Sequence, residues 1–211
     1  MRILAGCLEP DEGSVSGSDK ASIVFQNPDD QFVYSTLIDD VAFGPFNMGL
    51  SREDSLRKAL SALETTELAD KKDRLVDTLS GGEKQRASLA GALALERDVL
   101  ILDEVLSMMD GRSKESYLEL LKSLREVGKT IILVTHDASD AVFADYVHII
   151  NDGIILKSGT PNDVLTDRIR LHSSGLQCPQ ITALAYALID KGLSFSFIPL
   201  TREEFEEALC R

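Results

Sequence analysis

The sequence predicts an α/β protein built on short parallel strands. Two apolar runs, Val99–Leu102 and Thr130–Val134, are brief and continuous, as strands buried on both faces of a parallel sheet are. Between them Arg112–Val127 reads as a helix, which supplies the crossover that parallel strands need. Each run stops at polar residues, Asp103-Glu104 and Thr135-His136-Asp137, and ligands gather at the carboxyl ends of such strands.

Composition narrows the class. With 211 residues, 44% hydrophobic and 6% aromatic, the chain can bury a substantial core, and disorder is not expected. No apolar run approaches the roughly 18 residues that span a bilayer, and Met1–Gly17 lacks the basic start and apolar core of a signal peptide; a cytosolic chain is expected. The 35 acidic and 22 basic residues give a net charge of −13, and the only local basic cluster, Lys71, Lys72 and Arg74, is broken by Asp73, which disfavours nucleic acid as a partner. Cys7, Cys178 and Cys210 are odd in number, far apart and without a neighbouring histidine, so neither a disulfide framework nor a zinc site is indicated.

Along the chain, Met1–Leu8 reads as the end of an amphipathic helix and Glu9-Pro-Asp-Glu-Gly13 as its stop, an arrangement that implies preceding sequence. Ala21–Phe25 is a short strand followed by a polar turn, Gln26–Gln31. Thr36–Asn47 and Ser51–Leu63 are helical, the second opened by a capping box of Ser51 and Asp54. Val41, Phe43, Phe46 and Met48 form an apolar stripe that suits either plain core or a groove for a partner helix.

Leu79–Asp110 carries the densest chemistry. Ser80 with Glu83 makes a capping box, so Gly81 and Gly82 occupy the first turn of a helix running to about Leu95. Uncovered N–H groups and the helix dipole make such a start attractive to phosphate, and the Ser80 hydroxyl adds a donor; read alone, Ser-Gly-Gly is equally a tight loop before a helix. Asp103 and Glu104 would repel each other in an apolar setting unless something positive lies opposite, and magnesium with nucleotide phosphates answers this, with Asp103 on the metal side. Strand alternation aims Glu104 at a different wall, where it can deprotonate a water as general base. His136, at the end of the next strand, can hydrogen-bond a γ-phosphate and keep Glu104 and water in register, although a lone histidine is more often a surface or core residue.

Beyond these, Tyr146–Ile150 and Ile154–Lys157 flank Asn151-Asp152-Gly153 as a hairpin, and Thr160-Pro161 opens a short helix. A helix over Pro179–Lys191 ends at Gly192, and another is capped by Thr201 with Glu204.

Taken together, LSGGEKQ (Leu79–Gln85) resembles the signature motif of ABC ATPases, and VLILDE (Val99–Glu104) their Walker B strand with its catalytic glutamate. Gln26 resembles the glutamine of their Q-loop, SMMD (Ser107–Asp110) their D-loop and His136 their H-switch, although Val105, Leu106 and Gly111 depart from the usual D-loop wording. The stretch VFQNPDDQFVYSTLIDDVAFGPFNMGLS and the tail around Cys178-Pro179-Gln180 are closest to ATPase subunits of energy-coupling factor importers. MRILAGCLEPDEGSVSG resembles the segment that follows the family's phosphate loop, yet no GxxxxGK[ST] occurs in the 211 residues.

The resemblance implies an N-terminally incomplete, P-loop NTPase-like ABC ATPase core at 1–35 and 96–168, an inserted helical signature subdomain at 36–95 and a small helical extension at 169–211. It implies ATP and Mg2+, with Gln26 and Asp103 toward the metal, Gln26, Ser80, Gly81, Gly82, Gln85 and Asp110 toward nucleotide, and Glu104 and His136 in catalysis. It also implies a second ATPase subunit, a transmembrane coupling subunit, a substrate-binding membrane subunit, and a place at the cytoplasmic face of the membrane. The competing expectations are a non-hydrolysing interaction module and a non-transport ABC ATPase; the coiled-coil arms or basic extensions expected of the latter are absent from the sequence.

Overall fold

The computed structural model describes residues 1–209, so Cys210 lies outside the described residues. The chain divides into two compact units, 1–134 and 135–211.

The first unit holds a three-stranded parallel sheet in the order β1 (Ala21–Val24), β2 (Val99–Asp103), β3 (Thr130–Val134), with Ala21 opposite Val99 and Val99 opposite Thr130. β2 is central, which is why Leu100, Ile101 and Leu102 are all buried despite pointing to alternate faces. Before the sheet, Met1–Cys7 forms one helical turn closed by Gly6 (φ +72°), with Cys7 N–H donating to Arg2 O and Gly6 N–H to Ile3 O. This is a Schellman ending, so the expected helix end is there with a single turn ahead of it.

Three helices follow β1: α1 (Leu37–Asn47), α2 (Arg52–Thr65) and α3 (Gly81–Ala94). Leu37, Val41, Ala59, Leu63, Leu68 and Val76 pack with Ala87, Ala90 and Ala94 of α3 into one core. Leu89 and Ala92, on another side of α3, join Val24, Leu100, Leu102 and the residues of α4 (Gly111–Glu126) in a second. α3 is therefore a wall shared by two cores, and its run of alanines is what allows both layers to approach it.

One expectation needs correcting here, and one open choice is decided. Ser51 does cap α2, accepting the Asp54 N–H, but its hydroxyl also donates to the Asp54 carboxylate at 2.7 Å, so the reciprocal half of the capping box is missing. Of the apolar stripe, Val41 belongs to the core and cannot line a groove, whereas Phe46 and Met48 are exposed.

The second unit is built on a hairpin of β4 (Val147–Asn151) and β5 (Ile154–Gly159). Asp152 (φ +49°) and Gly153 (φ +76°) form its two-residue turn, as the Asp-Gly pair predicts. The hairpin is followed by α5 (Pro161–Leu165), α6 (Arg168–Ser173), α7 (Gln180–Ile189) and α8 (Arg202–Leu209); α6 was not legible in the sequence. Ile149, Val164, Leu165, Leu171 and Leu200 make this unit's own core. Gly192 (φ +96°) ends α7, and Thr201 accepts the Glu204 N–H at the start of α8.

Helix starts in both units rest on ionised carboxylates. Lys71 first, then the Ser80 N–H, pull the Glu83 carboxyl from 4.5 down to about 2. Asp110, Asp163 and Asp167 are also lowered, chiefly by the Ser113 N–H, the Thr160 hydroxyl and the Lys157 ammonium respectively. A carboxylate lowered on folding stabilises above its unfolded pKa and loses that contribution as pH falls toward the folded value. The thermal midpoint, followed by circular dichroism, is therefore expected to drop as pH falls from 4.5 toward 2, the interval over which Glu83 titrates. Glu83→Gln should make that drop shallower.

Candidate active site

The start of α3 is built as the sequence predicts. The Ser80 hydroxyl accepts the Glu83 N–H at 3.4 Å, and the Glu83 carboxylate accepts the Ser80 N–H at 2.7 Å. Lys71 closes on Glu83 at 2.7 Å. That ion pair neutralises the one acid in the helix's first turn, so its partial positive charge is not opposed by a bare carboxylate. Gly81 is exposed, with no atom within 4 Å of where a side chain would project, so an anion can reach the backbone there. Gly82 is tighter: a Cβ would come within 3.3 Å of the Ser113 hydroxyl on α4.

A second cluster forms at the carboxyl end of β2. Asp103 is the strand's last residue, half-buried and opposite Val134 of β3. Glu104 follows in the left-handed region, φ +54°, its N–H donating to Val134 O and its carbonyl accepting the Ser107 N–H and hydroxyl. The direction of Glu104 is thus set by this turn and not, as expected from the sequence, by strand alternation, because β2 ends at Asp103. A left-handed glutamate is costly, and such strain is characteristic of functional positions.

Gln26 joins the cluster from the loop after β1. Its Nε2 lies 3.3 Å from Glu104 Oε2 and 3.2 Å from Ser107 Oγ, across more than 75 residues of chain. The loop itself is clasped by Gln31, whose amide accepts the Phe25 N–H and donates to the carbonyls of Phe25 and Asn27. Asn27 caps a short 3-10 turn over Pro28–Asp30, and Lys84 of α3 pairs with Asp29 at 2.6 Å. The sequence gives Gln31 and Lys71 no role in the site; a second polar side chain closing the loop and a lysine ahead of the glycines are the available signals.

Two expected nucleotide residues are placed otherwise. Gln85 is buried, and its Nε2 donates to the backbone carbonyl of Gln26 at 2.6 Å, so its amide is turned inward. Asp110 uses both carboxylate oxygens on Ser113, one on the N–H at 3.0 Å and one on the hydroxyl at 3.1 Å, and so caps α4. Deeper along α3, Arg86 bonds Glu67 and Thr66 O on one side and Ser116 of α4 on the other.

His136 belongs to the second unit, as the exposed residue after Thr135. The turn that carries it is fixed by the Thr135 hydroxyl, which accepts the Asp137 N–H and donates to Asp140 at 2.6 Å.

The donor set suits a phosphorylated ligand with a hard divalent cation. Backbone N–H groups are open at Gly81, and Asp103 is an oxygen ligand of the kind Mg2+ takes singly or in pairs beside phosphate oxygens. Among the described residues no group of three or more His, Cys, Asp or Glu converges, so most of such a cation's shell would come from ligand and water.

A model of the ABC transporter family matches residues 1–107. The chain is 36% identical to the energy-coupling factor transporter ATP-binding protein EcfA2 of Streptococcus thermophilus, over 99% of this chain and 81% of that protein. It is 37% identical to EcfA of Methanosphaera stadtmanae, over 97% and 80%. Among solved structures it resembles cbiO1 from Clostridium perfringens, described as part of the ABC transporter complex cbiONQ, with a TM-score of 0.71, 29% identity, and coverage of 88% of this chain and 80% of that one.

Replacing Glu104 by glycine tests the backbone strain. Relief of the left-handed cost, about 1–2 kcal/mol, outweighs the added freedom of the unfolded chain, about 0.5–1 kcal/mol. Glu104→Gly is expected to gain up to about 1.5 kcal/mol in denaturant unfolding; a loss would mean that the carboxylate's contacts dominate.

Proposed function

The chain belongs to the ABC transporter family, among its energy-coupling factor ATP-binding proteins, and we propose that it energises import of a micronutrient or metal ion. It works paired with a second ATPase subunit, against a transmembrane coupling subunit and beside a membrane subunit that captures the substrate. Its proposed place is peripheral, at the cytoplasmic face of the membrane; no helix among the described residues is long and apolar enough to cross one.

The observation that carries this reading is the meeting of Gln26, Glu104 and Ser107, which joins the loop after β1 to the end of β2 at one point. ATP, when bound, supplies the phosphoryl group, and Mg2+ offsets its charge. Glu104 accepts the proton of the attacking water, and Gln26 orients that carboxylate through its amide. Asp103 holds the metal side. Ser80, Gly81 and Gly82 offer their donors to a nucleotide carried by the opposite subunit. The coupling helix of the membrane partner docks near Phe43, which lines a cleft of about 160 Å³ with Asp40 and Phe32 and meets the Tyr34 ring at 5.5 Å in a tilted, 58° arrangement.

Two measurements test the assignment. In a chain extended upstream by a segment carrying GxxxxGK[ST], Glu104→Gln is expected to lower turnover at least about a hundredfold while retaining nucleotide, since the base is lost and the binding groups stay. Unchanged turnover would remove Glu104 as the base.

The 211-residue chain alone is expected neither to hold ATP tightly nor to hydrolyse it, because it contains no such loop. Three missing charge-assisted contacts at about 1.5–3 kcal/mol each amount to about 4.5–9 kcal/mol, or some three to six orders of magnitude in affinity. Isothermal titration with Mg-ATP checks this; micromolar binding with steady phosphate release would mean that another segment cradles the phosphates.

A further inference from the structure

We propose that Gln85 is a positioning residue that ties the start of α3 to the carboxylate of Glu104 through Gln26, so that the helix start and the base move together. The inference rests on the reading of α3's start as an element that meets a nucleotide carried by a second subunit.

Three bonds make the route. Gln85 Nε2 donates to Gln26 O at 2.6 Å, which fixes the backbone of the loop after β1 against the second turn of α3. The Gln26 side chain reaches Glu104 Oε2 at 3.3 Å and Ser107 Oγ at 3.2 Å. Ser107 in turn donates its hydroxyl to Glu104 O at 2.7 Å, so side chain and backbone of the glutamate are held from the same point. Lys84, one residue before Gln85, adds a parallel tie through Asp29. Because Gln31 clasps Phe25 and Asn27, the loop between these ties moves as a body and transmits displacement instead of absorbing it.

Gln85 is only 2% exposed, and its Oε1 has no hydrogen-bond partner. A buried amide with one end unmet is a poor core filler, since an apolar side chain of similar volume would fill the space without an orphaned acceptor. What the amide provides is the bond to Gln26.

The geometry also gives the coupling its sense. If α3's start contacts a nucleotide in one composite site while Glu104 serves the other, the Gln85–Gln26 bond links the two sites inside one subunit. Docking of the helix start would then set the position of the base that serves the other nucleotide.

Peptide-resolved hydrogen exchange on the full 211-residue chain tests this, alone and mixed with an ATPase subunit that carries its own phosphate loop and Mg-ATP. In the native chain, amides at 81–84 slow on mixing, and those at 25–31 and 104–107 slow with them. In Gln85→Met, 81–84 still slow, but 25–31 and 104–107 no longer follow and exchange about five- to tenfold faster than in the native mixture. Gln31→Met, which opens the loop's clasp without touching α3, gives the same uncoupling and serves if Gln85→Met does not fold. Slowing at 25–31 and 104–107 that survives both substitutions overturns the proposal. No response at 81–84 in the native chain would instead overturn the underlying reading of α3's start, and the relay with it.

Discussion

α3 is buried on two sides at once, and that constraint organises the first unit. Ala87, Ala90 and Ala94 meet the helical layer of α1 and α2, while Leu89 and Ala92 meet the sheet and α4. A helix in that position has little polar face to spare, so its polar residues concentrate at its start, where Glu83, Lys84, Gln85 and Arg86 find partners in other segments. The glycine-bearing turn can remain open because the packing behind it already holds the helix in place.

The chemistry sits where that helix start, the loop after β1 and the end of β2 are tied together. Glu83 stays ionised through Lys71 and a backbone N–H, and Asp110 through the donors of Ser113, so the charge of these two helix-capping acids is set by hydrogen bonds more than by desolvation. Asp40, on α1, behaves in the opposite way: burial outweighs two backbone donors and raises its carboxyl.

Local rules made much of this legible. The capping box at Ser80, the strand at Val99, the Asp152-Gly153 turn and the stop at Gly192 each depend on a few adjacent residues, and the structure has all of them. What the sequence hid required distance or dihedrals. Gln85 looked like a nucleotide contact because it closes the LSGGEKQ motif, yet its helical phase turns it inward onto Gln26. Glu104 was assigned a direction by strand alternation, although the strand ends one residue earlier and a left-handed turn takes over. For Val41 the apolar stripe leaves core and partner groove equally open, because it carries no label for which side is covered, and burial decides for the core.

Arg86 links three pieces of chain that are far apart in sequence: the Thr66–Glu67 corner, with Glu67 at φ +60°, its own helix, and Ser116 of α4. Its guanidinium is mostly sheltered, so each lost acceptor strands a donor that water reaches poorly. Positions 67, 86 and 116 are therefore physically coupled through one side chain. In an evolving lineage or a mutagenesis library, a change tolerated at one of them is conditional on the other two, and their effects should be scored as a triple and never summed from singles.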